Sequence, residues 1–194
     1  MISEFVDERA GADPASGADS YFEAIFLQHY RGVLRLLIRL VGDRTQGEDL
    51  ANEVFWKLSR QSEQWLRTNN VGGWLYRAAT HAGIDALRAA SHRKEYERAA
   101  TLHARHYEPE ENGPLGEVLR EEERKAVRRA LGKMKPAQAQ LLLMRANGLS
   151  YKELAAACGI AITGVGTLLS RAEAEFHKHY RKLTQKGVDH ELSH

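Results

Sequence analysis

The residues best suited to chemistry lie in Leu149–Ala172, LSYKELAAACGIAITGVGTLLSRA, and the chemistry they suit is the reading of duplex DNA. Thr163, Gly166, Thr167, Ser170 and Arg171 recur at intervals that place them on one side of a helix, near its N-terminal end. Arg171 alone among them carries the planar fork for a bidentate guanine contact, worth about 1–3 kcal/mol of discrimination. Thr163 is expected to cap this helix and to meet phosphate together with the exposed backbone N–H groups. Lys178, Arg181 and Lys182 follow on the same helix, and phosphate contacts from them add salt-dependent affinity without sequence information.

Placing such a helix requires a partner helix and a fixed turn, and the preceding residues supply both. Ser150 and Glu153 form an S-x-x-E capping box that starts the first helix. Leu154 and the small Ala155 are expected on its buried side, and Gly159 provides the positive φ of the turn. Ile160 plugs the corner, while Val165 and Leu168 are spaced as the inner face of the next helix, predicted from Thr163 to about Lys182. The stretch reads as a helix-turn-helix, although an ordinary αα-hairpin uses several of the same parts.

The frame around this motif reads as all-α, with two small helical domains. At 194 residues, 43% hydrophobic and 28% charged, the chain is globular, and four prolines among long apolar periodicities favour helices. No apolar run approaches eighteen residues and the first residues are acidic, which predicts a cytoplasmic protein with no membrane insertion. A single cysteine, Cys158, excludes an internal disulfide and a multi-cysteine zinc site, and it is expected to be a small buried hydrophobe. The nine histidines form no metal-ligand pattern: His103 and His106 are i, i+3 and His177 and His179 are i, i+2, without a nearby cysteine or a consistent carboxylate partner. No H-E-x-x-H, Walker loop, G-x-S-x-G or G-x-G-x-x-G occurs, so the chain reads as a non-enzyme with no metal and no cofactor.

A formal net charge of +2 conceals a partition along the chain. Residues 1–19 carry Arg9 against Glu4, Asp7, Glu8, Asp13 and Asp19, whereas residues 119–194 carry fourteen Lys/Arg against eight Asp/Glu. Residues 107–118 hold four glutamates and no basic residue. The C-terminal part can therefore meet phosphate, and the other two segments are repelled by it.

Residues 1–19 are expected to be a disordered acidic tail. A domain over 20–100 follows. Its first helix runs from Asp19 or Ser20 to about Val41, with Phe22, Ile25, Phe26, Val33, Leu34, Leu37 and Leu40 inward and a basic stripe of Arg31, Arg35 and Arg39 outward. Gly42 ends it, Asp43 with Gln46 starts the next, and Leu50, Val54, Phe55 and Leu58 form the buried face of that second helix. Gln61–Asn70 reads as a loop, and Asn70 caps a long helix through Trp74, Leu75, Ala78, Ala82 and Leu87. Residues 101–118 read as a flexible linker containing EPEENGPLG, 119–185 as the second domain, with Pro136 and Asn147-Gly148 bounding one of its helices, and 186–194 as a loose tail.

Two further clusters fall in the first domain. Glu48, Asp49 and Glu53 share one helix face with Asn52, an exposed acidic surface able to orient a basic partner. Arg77, His81, Asp85, Arg88, His92 and Arg93 lie mostly along one side of the long helix, where Asp85 can also simply pair with His81 and Arg88. Trp56, Trp65, Trp74 and Tyr76 have rings able to stack bases, with Trp56 and Trp74 expected in the core.

Taken together, GDRTQGEDLANEVFWKL (42–58), GWLYRAATHAGIDALR (73–88) and the helix-turn-helix preceded by LGKMKP (131–136) resemble extracytoplasmic-function sigma factors of bacterial RNA polymerase, over about Tyr21–Lys182. The resemblance implies a role in promoter-specific transcription initiation, with core RNA polymerase (β′ coiled coil and β flap) and promoter DNA as partners. It also implies an anti-sigma factor, common in the family, and a linker running toward the RNA exit path. It assigns Glu48, Asp49, Asn52 and Glu53 to polymerase docking. His81, Asp85, Arg88, His92, Arg93 and Lys94 fall to the melted minus-ten strand, with Gln61–Asn70 holding a flipped base. The helix-turn-helix takes the minus-thirty-five duplex.

The chain departs from the pattern in having His81 where an asparagine is usual and in lacking a run of arginines after Arg88. Its reading helix is also undercharged, with Gly166, Leu168, Glu173 and Glu175, which predicts weak autonomous DNA binding that a polymerase-held second anchor can offset. A self-sufficient DNA-binding regulator, or a protein-interaction module using Arg31, Arg35 and Arg39, are the alternative readings of the same residues.

Overall fold

The computed structural model describes the backbone of residues 14–100 and 115–191, and side chains over 21–93, at 96 and over 120–185. The readings made for residues 1–13, for most of the linker and for the last three residues lie outside the described residues. Among those described, eight helices and no strand occur. They are α1 Pro14–Val41, α2 Arg44–Ser59, α3 Glu63–Thr68, α4 Val71–Ala100, α5 Leu115–Lys133, α6 Pro136–Ala146, α7 Tyr151–Cys158 and α8 Ile162–Glu191. No single described helix is long and apolar enough to cross a membrane.

Local sequence accounts for most boundaries. Asp43 accepts from the Gln46 N–H at 2.7 Å to start α2, and Asn70 accepts from the Gly73 N–H at 2.9 Å to start α4. Pro136 opens α6 at its first turn, and Asn147 caps its end. Three boundaries differ from expectation. α1 begins at Pro14, five residues before the expected start, because a proline followed by alanines and serine suits a helical first turn. Gln61–Asn70 is not a loop: Ser62 accepts from the Trp65 N–H at 3.2 Å and caps the six-residue α3. α8 continues to Glu191 rather than loosening after Gln185.

The α1–α4 core is built from Ile25, Val33, Leu36, Leu37, Val54, Phe55, Leu58 and Leu75. Phe26 stacks on Tyr30 with centroids 4.5 Å apart and meets the edge of Phe55 at 5.0 Å. Trp65 of α3 and Trp74 of α4 pack edge to face at 5.8 Å, and Leu66 of α3 is buried in the same core. Trp56, expected in this core, is 57% exposed instead. On α2 the buried positions are Gly47, Ala51, Val54, Phe55 and Leu58, and residue 56 falls on the opposite side.

A second cluster joins α6, α7 and α8 through Leu141, Met144, Leu149, Leu154, Val165 and Leu169. A third crosses the chain: Leu40, Ile84 and Leu87 from the N-terminal half pack with Leu131, Met134, Ala139 and Ala172 from the C-terminal half. The two halves therefore share apolar core.

Candidate nucleic-acid interface

The helix-turn-helix forms as its cap and turn require. The Ser150 hydroxyl accepts from the Glu153 N–H at 3.3 Å while the Glu153 carboxylate accepts from the Ser150 N–H at 2.7 Å. The Ser150 hydroxyl, which also donates to that carboxylate at 2.7 Å, and after it the Ser150 N–H hold the Glu153 carboxyl below the ordinary glutamate range. Gly159 stands at φ 67°, and its Ile160 neighbour donates its N–H to Ala155 at 3.0 Å while packing on the cluster below. Cys158 is half-buried there, and desolvation pushes its thiol up despite the nearby Arg77 charge.

The inner face of α8 is Val165, Leu169, Ala172 and Phe176, an i, i+4, i+7, i+11 stripe. Leu169, 3% exposed, takes the place expected of Leu168, which is 37% exposed. Four residues from Val165 returns nearer the same side than three does, and the mean direction of Val165, Ala172 and Phe176 lies closer to 169 than to 168. Thr163 lies inside the first turn that opens at Ile162, so its hydroxyl does not cap α8. Thr163, Thr167, Ser170 and Arg171 are exposed on the outer side, with Gly166 half-buried beside the Tyr151 ring. Lys178, Arg181 and Lys182 are exposed on the same side about two to three turns after Arg171. Lys178 is held by Glu175 at 3.1 Å, and His179 reaches the same carboxylate at 3.1 Å. With Lys178 its strongest partner, that carboxyl sits below the usual glutamate value. Arg171, Arg181 and Lys182 make no ion pair with any described carboxylate.

On α4, His81, Asp85, Arg88 and His92 line one flank, and the His81 Nδ1 meets the Asp85 carboxylate at 3.0 Å. His92 and Arg93 are exposed beyond them, and Lys94 lies in α4 with its side chain outside the described residues. The C-terminal half lies along this flank. Arg88 Nη2 donates to the Met134 carbonyl at 2.6 Å, and Arg77 Nη1 donates to the Ala157 carbonyl at 2.8 Å. Both acceptors are carbonyls at helix C-terminal ends, where a guanidinium satisfies orphan acceptors and meets the negative end of the dipole. Gln140 donates to the Arg77 carbonyl at 2.9 Å, and the Arg128 guanidinium of α5 lies over Gly42, held by Glu121 at 2.6 Å. Composition carries no trace of the bonds from Arg77, Arg88 and Gln140 between the halves, because they join residues 46 to 80 positions apart.

The α2 face is less acidic than its sequence suggests. Glu48 pairs with Arg44 at 2.8 Å and Glu53 with Lys57 at 2.7 Å, while Asn52 accepts from the Tyr30 hydroxyl at 3.2 Å. Asp49 alone of the three carboxylates makes no ion pair with a described cation. Among the described residues no group of histidine, cysteine and carboxylate side chains is arranged to hold a metal ion.

The description "Sigma-70 region 2" matches residues 25–93 and "Sigma-70, region 4" matches residues 124–176. The RNA polymerase sigma-H factor of Pseudomonas aeruginosa is 22% identical over 96% of this chain and all of that protein. The ECF RNA polymerase sigma factor SigE of Mycolicibacterium smegmatis is 27% identical over 83% of this chain and 62% of its own length. The RNA polymerase sigma factor YlaC of Bacillus subtilis is 27% identical over 82% of this chain and 92% of its own. In fold, the chain is similar to the sigma factor RpoE of Bartonella quintana, solved in complex with the anti-sigma factor NepR, with TM-score 0.50, 20% identity, and 82% and 96% of the two chains covered. The α1–α4 and α5–α8 halves coincide with the two matched regions, and the chain belongs to the sigma-70 family of RNA polymerase sigma factors, in its extracytoplasmic-function class.

Proposed function

We propose that the N-terminal half docks on core RNA polymerase through α2 and captures the melted non-template minus-ten strand along α4, while α8 reads the minus-thirty-five duplex. The observation that carries this division is the outer face of α8: Thr163, Thr167, Ser170 and Arg171 are exposed and the packing of the protein uses none of them. A duplex reader needs such a face, with short side chains near the helix N-terminus and phosphate-binding cations behind. The acidic face of α2 is directed to the β′ coiled coil, and the C-terminal half to the β flap. An anti-sigma factor is a further partner, of the class bound by the Bartonella quintana protein, and the cytoplasm is the place of action.

The packing adds a step. Arg88, assigned to the minus-ten strand, is bonded to Met134, so strand capture along α4 needs the α4 flank to part from α5 and α6. Docking on polymerase supplies the energy for that opening and places the second reader within reach of its duplex by effective concentration.

Run-off transcription from genomic promoter fragments, with cognate core polymerase in the presence and absence of the chain, tests the reading. Promoter-dependent transcripts only when the chain is present support it. Tight gel shifts of duplex without polymerase, and no stimulated transcript, refute it in favour of a self-sufficient regulator. Neither signal refutes it in favour of a protein-interaction module.

A further inference from the structure

The Trp56 indole belongs to none of the apolar clusters among the described residues. Of the three tryptophans, Trp65 and Trp74 pack on each other, while Trp56 is 57% exposed with the Arg60 guanidinium over its ring, 4.9 Å from the centroid. Its position is central rather than peripheral. The buried side of α2 is defined by Gly47, Ala51, Val54, Phe55 and Leu58, and at 100° per residue the opposite pole falls at Asp49, with Trp56 about 20° from it. Asn52 and Glu53 flank that pole, so the ring stands in the middle of the face assigned to polymerase.

The charges around it cannot carry a tight contact. Glu48 and Glu53 already have exposed partners one turn away, and the six charged residues from Arg44 to Arg60 balance to zero. Exposed ion pairs of this kind set orientation and contribute little to affinity. A large aromatic ring surrounded by polar groups is the side chain that interfaces use as an anchor, because burying it removes much apolar surface at small entropic cost. Stacking on the minus-ten strand does not suit it: α4 packs on the buried side of α2, and Trp56 points away from that side.

We propose that Trp56 is the anchor of the polymerase contact, inserting into an apolar socket on core polymerase whose rim carries a basic group for Asp49. This rests on the docking reading above and names the residue that supplies its affinity. Arg60 stays over one ring face and the socket closes over the other. Charge at Glu48 and Glu53 governs approach rather than residence.

The test is equilibrium binding of the full-length chain to purified cognate core polymerase, with Trp56→Ala, Trp56→Phe and, as a control for general surface apolarity, Leu27→Ala, whose side chain is 70% exposed on α1. Trp56→Ala is expected to raise Kd at least about 30-fold, the equivalent of about 2 kcal/mol at 1.4 kcal/mol per decade. Trp56→Phe should recover part of that loss, Leu27→Ala should stay within about 2-fold, and the thermal unfolding curves should superpose.

As a measurement on the unmutated chain, 5-fluorotryptophan labelling gives three fluorine resonances. The one absent in Trp56→Phe should shift or broaden most when core polymerase is added. No binding by the unmutated chain defeats the docking reading itself. Normal binding by Trp56→Ala, equal losses for Leu27→Ala, or an unmoved Trp56 resonance overturns the anchor alone. Normal core binding with weakened capture of melted promoter strand overturns it in favour of base stacking.

Discussion

Met134→Ala tests whether the two halves form one cooperative body. Met134 belongs to the C-terminal half but is 1% exposed among Leu40, Ile84 and Leu87 of the other half. The substitution removes three heavy atoms and keeps the backbone carbonyl that accepts from Arg88. Truncations of this kind cost about 2–5 kcal/mol, and a site closed on both sides by helices collapses poorly, so about 3 kcal/mol is expected. With a urea m-value of about 2 kcal/mol/M, the unfolding midpoint falls by about 1.5 M. All three tryptophans lie in the N-terminal half, so their fluorescence reports that half alone, whereas far-UV circular dichroism reports the helices of both. Both probes should shift together and by the same amount. If the circular dichroism midpoint falls while the fluorescence midpoint stays, the shared core does not couple the halves. Strand capture along α4 then needs no opening by polymerase.

Two glycine substitutions should act in opposite directions. At Gly47 a methyl group would lie 2.7 Å from Ile38 Cγ1 and 3.0 Å from its Cα and N, so α1 and α2 must separate. Gly47→Ala is therefore expected to destabilise by about 1–3 kcal/mol despite the better helix propensity of alanine. At Gly132 the nearest atom is 3.9 Å away, and Gly132→Ala should be neutral or stabilising by up to about 1 kcal/mol in the same urea titration. Arg171→Ala should relax preference at one duplex position by about 1–3 kcal/mol, while Lys178→Ala weakens binding to all sequences alike, as read in a promoter-library competition; equal losses at every position for both would remove Arg171 as a base reader. The depressed Glu153 carboxyl contributes stability that is complete above its unfolded value near pH 4.5 and is lost as pH falls through its lower folded value. Glu153→Gln should accordingly flatten part of the acid limb of a pH–stability curve, and an unchanged limb would show that the capping box does not persist in solution.

Legibility followed the range of the cause. Ser150, Glu153, Asp43, Asn70, Pro136 and Gly159 act within four residues of themselves, and each stands in the structure where its chemistry places it. The short α3 was missed because six residues are too few for periodicity, although Ser62 three residues before Trp65 carried its cap. Leu168 and Leu169 are adjacent leucines, and choosing between them required the phase of the whole stripe to Phe176. Trp56 departs from its residue type for a different reason: a large aromatic ring is usually buried, but this one stands across the helix from Val54 and Leu58.

The exposed outer face of α8, with Thr163, Thr167, Ser170 and Arg171, was legible from residue spacing because one helix carries it entire. The α2 carboxylates were equally legible in position. Their i, i+4 cations Arg44 and Lys57 were also in view, and geometry turned them into ion pairs.

Residue types and intervals were enough for every described helix but α3, for the turn at Gly159 and for the assignment to a family of two helical halves. They could not reveal that Arg77 and Arg88 are bonded to the carbonyls of Ala157 and Met134, or that Met134 completes a core begun by Leu40 and Ile84. Helical phase depends on neighbours three and four residues away, whereas those contacts depend on how whole helices pack across 46 and 80 positions of chain. An apolar stripe announces that it will be covered, and the covering helix is chosen by shape complementarity between surfaces that exist only after folding.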